Sequence, residues 1–170
     1  MKKVLLIILI SAVFIFRCDG GIEPEPVKPD GPTGFKGAVT FTGNWPAGVK
    51  RTHLVVFKKP IQKTDDFFPP NLSFVSDSIP YGSSAFNYNS LENNFLPILQ
   101  LGEGTYSYVV VAQSKTEEIS FERKDWYVVG VYCNNGDQAS PKELILRPGE
   151  ITEGVNIKVD FNNPPPQPPY

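Results

Sequence analysis

An all-β domain over residues 34–161, an antiparallel β-sandwich of about seven to eight strands, is predicted by three observations. Apolar residues recur with period two rather than 3.6. Val155, Ile157, Val159 and Phe161 alternate with Asn156, Lys158 and Asp160, and Phe35, Gly37, Val39 and Phe41 alternate with Lys36, Ala38, Thr40 and Thr42. That is the pattern of a sheet with one dry and one wet face. Longer apolar runs are rich in β-branched and aromatic residues, which favour strand over helix. Turn chemistry separates the runs. Arg147-Pro148-Gly149-Glu150 sets Pro before Gly as a type II turn requires, Leu101-Gly102-Glu103-Gly104 reads as a Gly-rich hairpin turn, and Asn134-Asn135-Gly136-Asp137 opens a longer loop before Pro141.

In chain order, the sequence begins with a positive Met1-Lys2-Lys3 and an apolar run, Val4 to Phe16. As a helix that run spans about 20 Å, short of the roughly 30 Å of a bilayer core, and it has the length of a signal h-region. Residues 1–17 therefore read as a signal peptide. Cys18 closes it and leads into a Pro-rich linker to residue 33. Alternating Pro and charged residues over 22–33 favour an extended polyproline II spacer reaching about 35 Å. Strands follow at Phe35–Phe41 and His53–Phe57, with weaker candidates at Leu72–Ile79 and Phe95–Leu101, then Tyr106–Ala112, Trp126–Cys133, a short Leu144–Leu146, and Val155–Phe161. The runs at His53–Phe57, Tyr106–Ala112 and Trp126–Cys133 are apolar on both faces and read as central strands. Ser114–Glu122 is the one place for a short helix, and Ser90–Asn94 for a turn of one. Residues 162–170 form a Pro-rich tail, read as a stiff, non-aggregating end, with a polyproline II ligand for an aromatic groove as the alternative.

Composition narrows the function classes. Nine of the 17 prolines lie in residues 22–33 and 162–170, so the proline excess belongs to the ends rather than the domain. Without the residues before Cys18 the balance is 13 basic against 18 acidic, which gives no pull toward nucleic acid phosphates. One His and two Cys exclude a Cys/His zinc site, a disulfide framework and any mechanism that needs two histidines. No cofactor motif is present.

Two segments carry resemblances. The h-region closed by Cys18 and followed by a Pro/Gly/Glu linker resembles a bacterial lipoprotein signal; Ile15 suits the third position upstream, while Phe16 and Arg17 stand where small residues are usual. The resemblance implies cleavage before Cys18 and acylation of that residue as a lipid anchor. It also implies attachment to a membrane of the cell envelope, the outer membrane or cell surface foremost. The alternative is a secreted or periplasmic protein cut after Gly20. Within the domain, three pieces together resemble the transthyretin-like, carboxypeptidase-regulatory-like sandwich family. They are Gly37-Ala38-Val39-Thr40-Phe41; Asn93-Asn94-Phe95 leading through Leu101-Gly102-Glu103-Gly104-Thr105-Tyr106 into Tyr108–Ala112; and Pro148-Gly149-Glu150 before Val155–Val159. The resemblance implies a transthyretin-like or Ig-like Greek-key sandwich that is commonly a non-catalytic, appended domain of secreted and surface proteins.

Candidate chemistry is sparse. His53 could act as a general base for a serine, but no nucleophile elbow accompanies it, and a surface or half-buried strand histidine is the expectation. Cys133 reads as a small buried hydrophobe. The pairs Asp65-Asp66 and Glu117-Glu118 read as solvated loop residues, outside any Ca²⁺-loop pattern. Trp45, Phe67, Phe68, Tyr81, Phe86 and Tyr88 lie in or near loops, where aromatics either close the sandwich ends or stack on a ligand, Trp45 and Tyr81 being the ligand-binding candidates. The expected protein is thus a non-enzymatic exported lipoprotein whose sandwich does structural or protein-interaction work in the cell envelope. The alternative is a surface carbohydrate-binding module using loop aromatics.

Overall fold

A computed structural model describes residues 29–169. The signal segment, Cys18 and the linker through residue 28 lie outside the described residues. The described chain is an all-β sandwich of ten strands with two 3₁₀ turns, Thr64–Phe67 and Arg123–Asp125. Strands β1 (Gly34–Thr42), β2 (Arg51–Phe57), β3 (Leu72–Val75), β6 (Tyr108–Ser114), β7 (Trp126–Val131), β8 (Leu144–Leu146) and β10 (Ile157–Asp160) fall where the period-two runs and the Trp/Val run place them.

Several features depart from the sequence expectation. Strand β4 (Ala85–Asn89) falls outside the apolar runs that read as strands, and the two-residue β9 (Ile151–Thr152) is too short to carry a pattern. The expected Tyr106–Ala112 strand is split at Ser107: β5 (Gly104–Tyr106) pairs with β8, and β6 joins the second sheet. Phe95–Leu101 forms no strand, and the Gly-rich run after it joins no hairpin. The Tyr106 hydroxyl instead donates to the Gly102 carbonyl and accepts from the Gly102 amide, a tyrosine-corner arrangement that pins the entry to the core strands. Ser114–Glu122, the one place open to a short helix, holds none; the chain makes a short 3₁₀ turn just after it.

The first sheet is ordered β10-β1-β4, with β9 beside the start of β1. Here β1 runs antiparallel to β4 but parallel to β9 and β10. The second sheet, β3-β2-β6-β7, is antiparallel throughout. The expected Pro148-Gly149 turn stands between β8 and β9: Gly149 takes φ +67°, and the Glu150 amide donates to the Arg147 carbonyl at 3.2 Å.

Side-chain alternation divides the apolar residues between two places. Phe35 and Val39 of β1, Leu54 and Val56 of β2, Phe74 of β3, Val109 and Val111 of β6, and Ile157 and Val159 of β10 fill the space between the sheets. Phe35 sits at its centre, edge-on to Phe74 at 5.4 Å and to Tyr88 at 5.6 Å. The intervening residues of the second sheet, among them Val55, Phe57, Val75, Tyr108, Val110 and Ala112, form a second cluster on its outer face. A bulge opposite Val111 and Ala112 leaves Val129 inward and both Val128 and Val131 outward.

Strand β7 is therefore an edge strand and not a central one. The Pro-rich tail is not a free end either. It folds back across that edge, and Pro165 is buried there.

Candidate functional site

A sheet with two apolar faces must have both covered. Between the sheets, the first sheet does this. On the outer face of the second sheet, three loops and the tail do it incompletely and leave a cleft of about 280 Å³. Val55, Phe57, Val75, Val110, Ala112 and Val128 make its floor.

Each wall is held by its own local hydrogen bonds. The loop after β2 closes on Asn71, whose side chain accepts from the Lys59 amide and donates to the Lys59 and Asp66 carbonyls. Asp66 is buried, contrary to the solvated-loop expectation. Its carboxylate accepts from the amides of Gln62 and Lys63 and pairs with the Lys59 ammonium at 3.1 Å. The Gln62 amide and then Lys59 hold its pKa below the ordinary 3.8. The effect is to seat Ile61 and Phe67 against the floor. The second wall brings Leu96 and Leu99, and is tied to β3 by the Phe95 amide on the Val75 carbonyl. The third brings Ile119, with the Trp126 indole N–H donating to the Ser120 carbonyl at 2.8 Å. Pro168 of the tail closes the remaining side.

Phe68, Ile98 and Phe121 stand at the mouth, and Ile98 and Phe121 are 86% and 65% exposed. Only His53, Ser120 and Arg123 contribute polar side chains to the lining. Such a cleft offers sugar hydroxyls almost no partners, and desolvating them unpaired is costly. It suits an apolar group. Its volume is nearly twice the roughly 150 Å³ of an engineered cavity that takes up benzene.

His53 is fully buried, which corrects the expectation of a surface or half-buried residue. Its ring packs against Phe95 and Trp126, and Nδ1 lies 2.8 Å from the Ser76 carbonyl. A carbonyl can only accept, so Nδ1 carries the proton and Nε2 is a bare lone pair with no hydrogen-bond partner. Burial is the main cause that lowers its pKa below 6.5. No carboxylate or hydroxyl is hydrogen-bonded to the ring.

The other sequence candidates lie away from this face. Trp45 is half-buried at the end of the inter-sheet core, 4.7 Å from Phe41 and 5.2 Å from Phe161, with its indole N–H donated to the Ser83 carbonyl. Tyr81 packs on it at 5.3 Å and remains 59% exposed. Phe86 packs on the same core and Tyr88 is buried in it, its hydroxyl donating to the Val155 carbonyl. Cys133 is half-buried beside the outer cluster, and burial, then Asp137, pushes its thiol pKa up. Glu117 is exposed and pairs with Lys50. Cys18 lies outside the described residues. Among the described residues, no three His, Cys, Asp or Glu side chains are grouped to hold a metal ion, and no helix is long and apolar enough to cross a membrane.

The cleft was not among the sequence candidates. Its signal was the two-faced apolarity of Tyr108–Ala112 and His53–Phe57. In a two-sheet sandwich only one of those faces meets the other sheet. No protein family model, curated protein or solved structure matches the chain.

Proposed function

We propose that this chain is a non-enzymatic lipoprotein of the bacterial cell envelope, anchored through Cys18, whose sandwich is an interaction module. Its outer-face cleft takes up an apolar group, of the size of an aromatic ring or a short alkyl segment, presented by an envelope partner. The observation that carries this reading is the cleft itself: an apolar floor on a rigid sheet, opening to solvent among exposed Ile98, Phe121 and Phe68. Exposed large apolar side chains gathered at one concave site mark interaction surfaces. The enclosed position of the sole histidine supports a role without catalysis. The h-region, Cys18 and the Pro-rich spacer support tethering.

The apolar dye N-phenyl-1-naphthylamine tests the cleft. Its emission rises on binding, with a change in Trp126 fluorescence as the internal reporter. Ile98→Asp and Phe121→Asp, both on the exposed rim, lower its affinity about tenfold or more without loss of fold, because a carboxylate at the mouth must be desolvated. Absence of dye binding, or unchanged affinity in both variants, overturns the reading.

Anchoring has its own test. Metabolic labelling with a palmitate analogue marks the wild-type chain in the membrane fraction. Cys18→Ser abolishes the label and releases the protein. Label retained in Cys18→Ser removes the proposed anchor.

A further inference from the structure

The unpaired edge of β7 is filled by side chains where a strand would be expected. The Val128 amide donates to Gln167 Oε1 at 2.8 Å, and Gln167 Nε2 donates back to the Val128 carbonyl at 2.8 Å. One primary amide thus supplies both groups that a neighbouring strand would present to residue 128. Nε2 also donates to the Pro165 carbonyl at 3.1 Å, which fixes the side chain's direction. Three residues further along the edge, Gln138 Oε1 accepts from the Val131 amide, and its Nε2 donates to the Asn163 carbonyl. Pro165 is buried, and Arg123, itself 4% exposed, donates from Nη2 to the Pro168 carbonyl at 2.7 Å.

A proline-rich segment has few amides with which to join a ladder. A glutamine between prolines restores the missing donor and acceptor, while the prolines keep the segment extended at little further entropy cost. The seat therefore reads three features of a segment: a buried proline, a glutamine two residues on, and the carbonyl of the proline that follows it.

We propose that the β7 edge is a peptide-recognition site for extended proline-rich segments of the pattern Pro-x-Gln-Pro, occupied in cis by the chain's own tail and open in trans to a partner segment of the same chemistry. This site adjoins the apolar cleft and shares Arg123, Val128 and Pro168 with it, but it is made by hydrogen bonds along the β7 edge rather than by the apolar floor, and it stands whether or not the cleft takes a ligand.

The test uses a fluorescein-labelled peptide of residues 163–170, NPPPQPPY, and fluorescence anisotropy with three full chains: wild type, Gln167→Ala and Gln167→Glu. Gln167 is exposed, so both substitutions loosen the tail without touching the core. In the wild type the peptide competes with a tail whose effective concentration is on the order of millimolar. The two variants therefore bind it at least tenfold more tightly than the wild type. A peptide with alanine in place of its glutamine binds the variants about tenfold more weakly, through the loss of its hydrogen bonds to Val128. No binding to either variant, or equal binding of the two peptides, overturns the proposal. A partner that enters the cleft alone is recognised by dye displacement without displacement of the peptide.

Discussion

Gly37→Ala destabilises the domain by about 3 kcal/mol, the upper end of the roughly 1–3 kcal/mol typical of overpacking. Between β9 and β10 the chain bulges out of the ladder along one edge of β1 and lies against Gly37. A Cβ at residue 37 would stand 2.1 Å from the Val155 carbonyl oxygen and 2.6 Å from its carbon. These are backbone atoms, and they are held in place. The Val155 amide donates to the Lys36 carbonyl, the Asn156 side chain accepts from the Ala38 amide, and the Tyr88 hydroxyl donates to the Val155 carbonyl. Relief of the clash would break one or more of these bonds. Urea denaturation checks the result: the midpoint falls by on the order of 1–2 M with the slope unchanged. Gly102→Ala is the control. Nothing lies within 4 Å of its added Cβ, so it leaves the midpoint where it was or raises it slightly. A near-neutral Gly37→Ala would mean that the bulge does not lie against β1.

Stability falls as pH drops below 6.5, and His53 is the cause. Burial, reinforced by the charge of Arg51, lowers its folded-state pKa; the Ser76 hydrogen bond and Asp77 oppose this without cancelling it. As pH falls through 6.5 the unfolded chain takes up a proton that the folded chain does not, so the unfolded state gains. The contribution is complete above 6.5. It is lost downward from there, with a slope approaching about 1.4 kcal/mol per pH unit, until the folded state protonates as well. The chain has one histidine, so this window has a single assignable side chain. His53→Asn keeps a donor for the Ser76 carbonyl and removes the titration. Unfolding free energies measured from pH 7 to 5 are then flatter in the variant than in the wild type. Parallel profiles would show that the ring is not held neutral.

The sandwich was legible because alternation is a local property. A strand with one wet face, such as β1 or β10, writes its burial directly into residues i and i+2. Two features were not legible, for physical reasons. Strand β9 is two residues long, and its pairing with Gly34 and Phe35 depends on where the Pro148-Gly149 turn delivers the chain. The break at Ser107 arises because β5 is drawn to β8 while β6 pairs with β2, a competition between distant segments that no local pattern records.

The candidate site failed to stand out for a related reason. Tyr108–Ala112 has no wet face, which in a sequence is the mark of a central strand. Strand β6 is indeed central, but its second face is roofed by loops, and the gap in the roof is a property of their packing. Trp45 drew attention as a loop aromatic; its ring closes the core because Phe41 and Phe161 stand beside it at the sandwich end. Proline dominates the tail, so its sequence suggests a stiff end or a ligand and not a segment bonded to its own domain. Gln167 gives it an attachment that composition does not reveal.

The side-by-side placement of β1 with β9 and β10 has a mechanical consequence. In the proposed anchoring, a tug on the spacer enters the domain at Gly34 and runs along β1. The ladder bonds to β4, β9 and β10 lie across that strand. They are loaded together in shear, and the bulge against Gly37 is loaded with them. A strand pulled from its end in this way resists as a row, whereas a hairpin pulled apart at its tip yields one bond at a time. The proposed lipid anchor thus meets the fold at a place suited to bear tension between a membrane and whatever the domain holds.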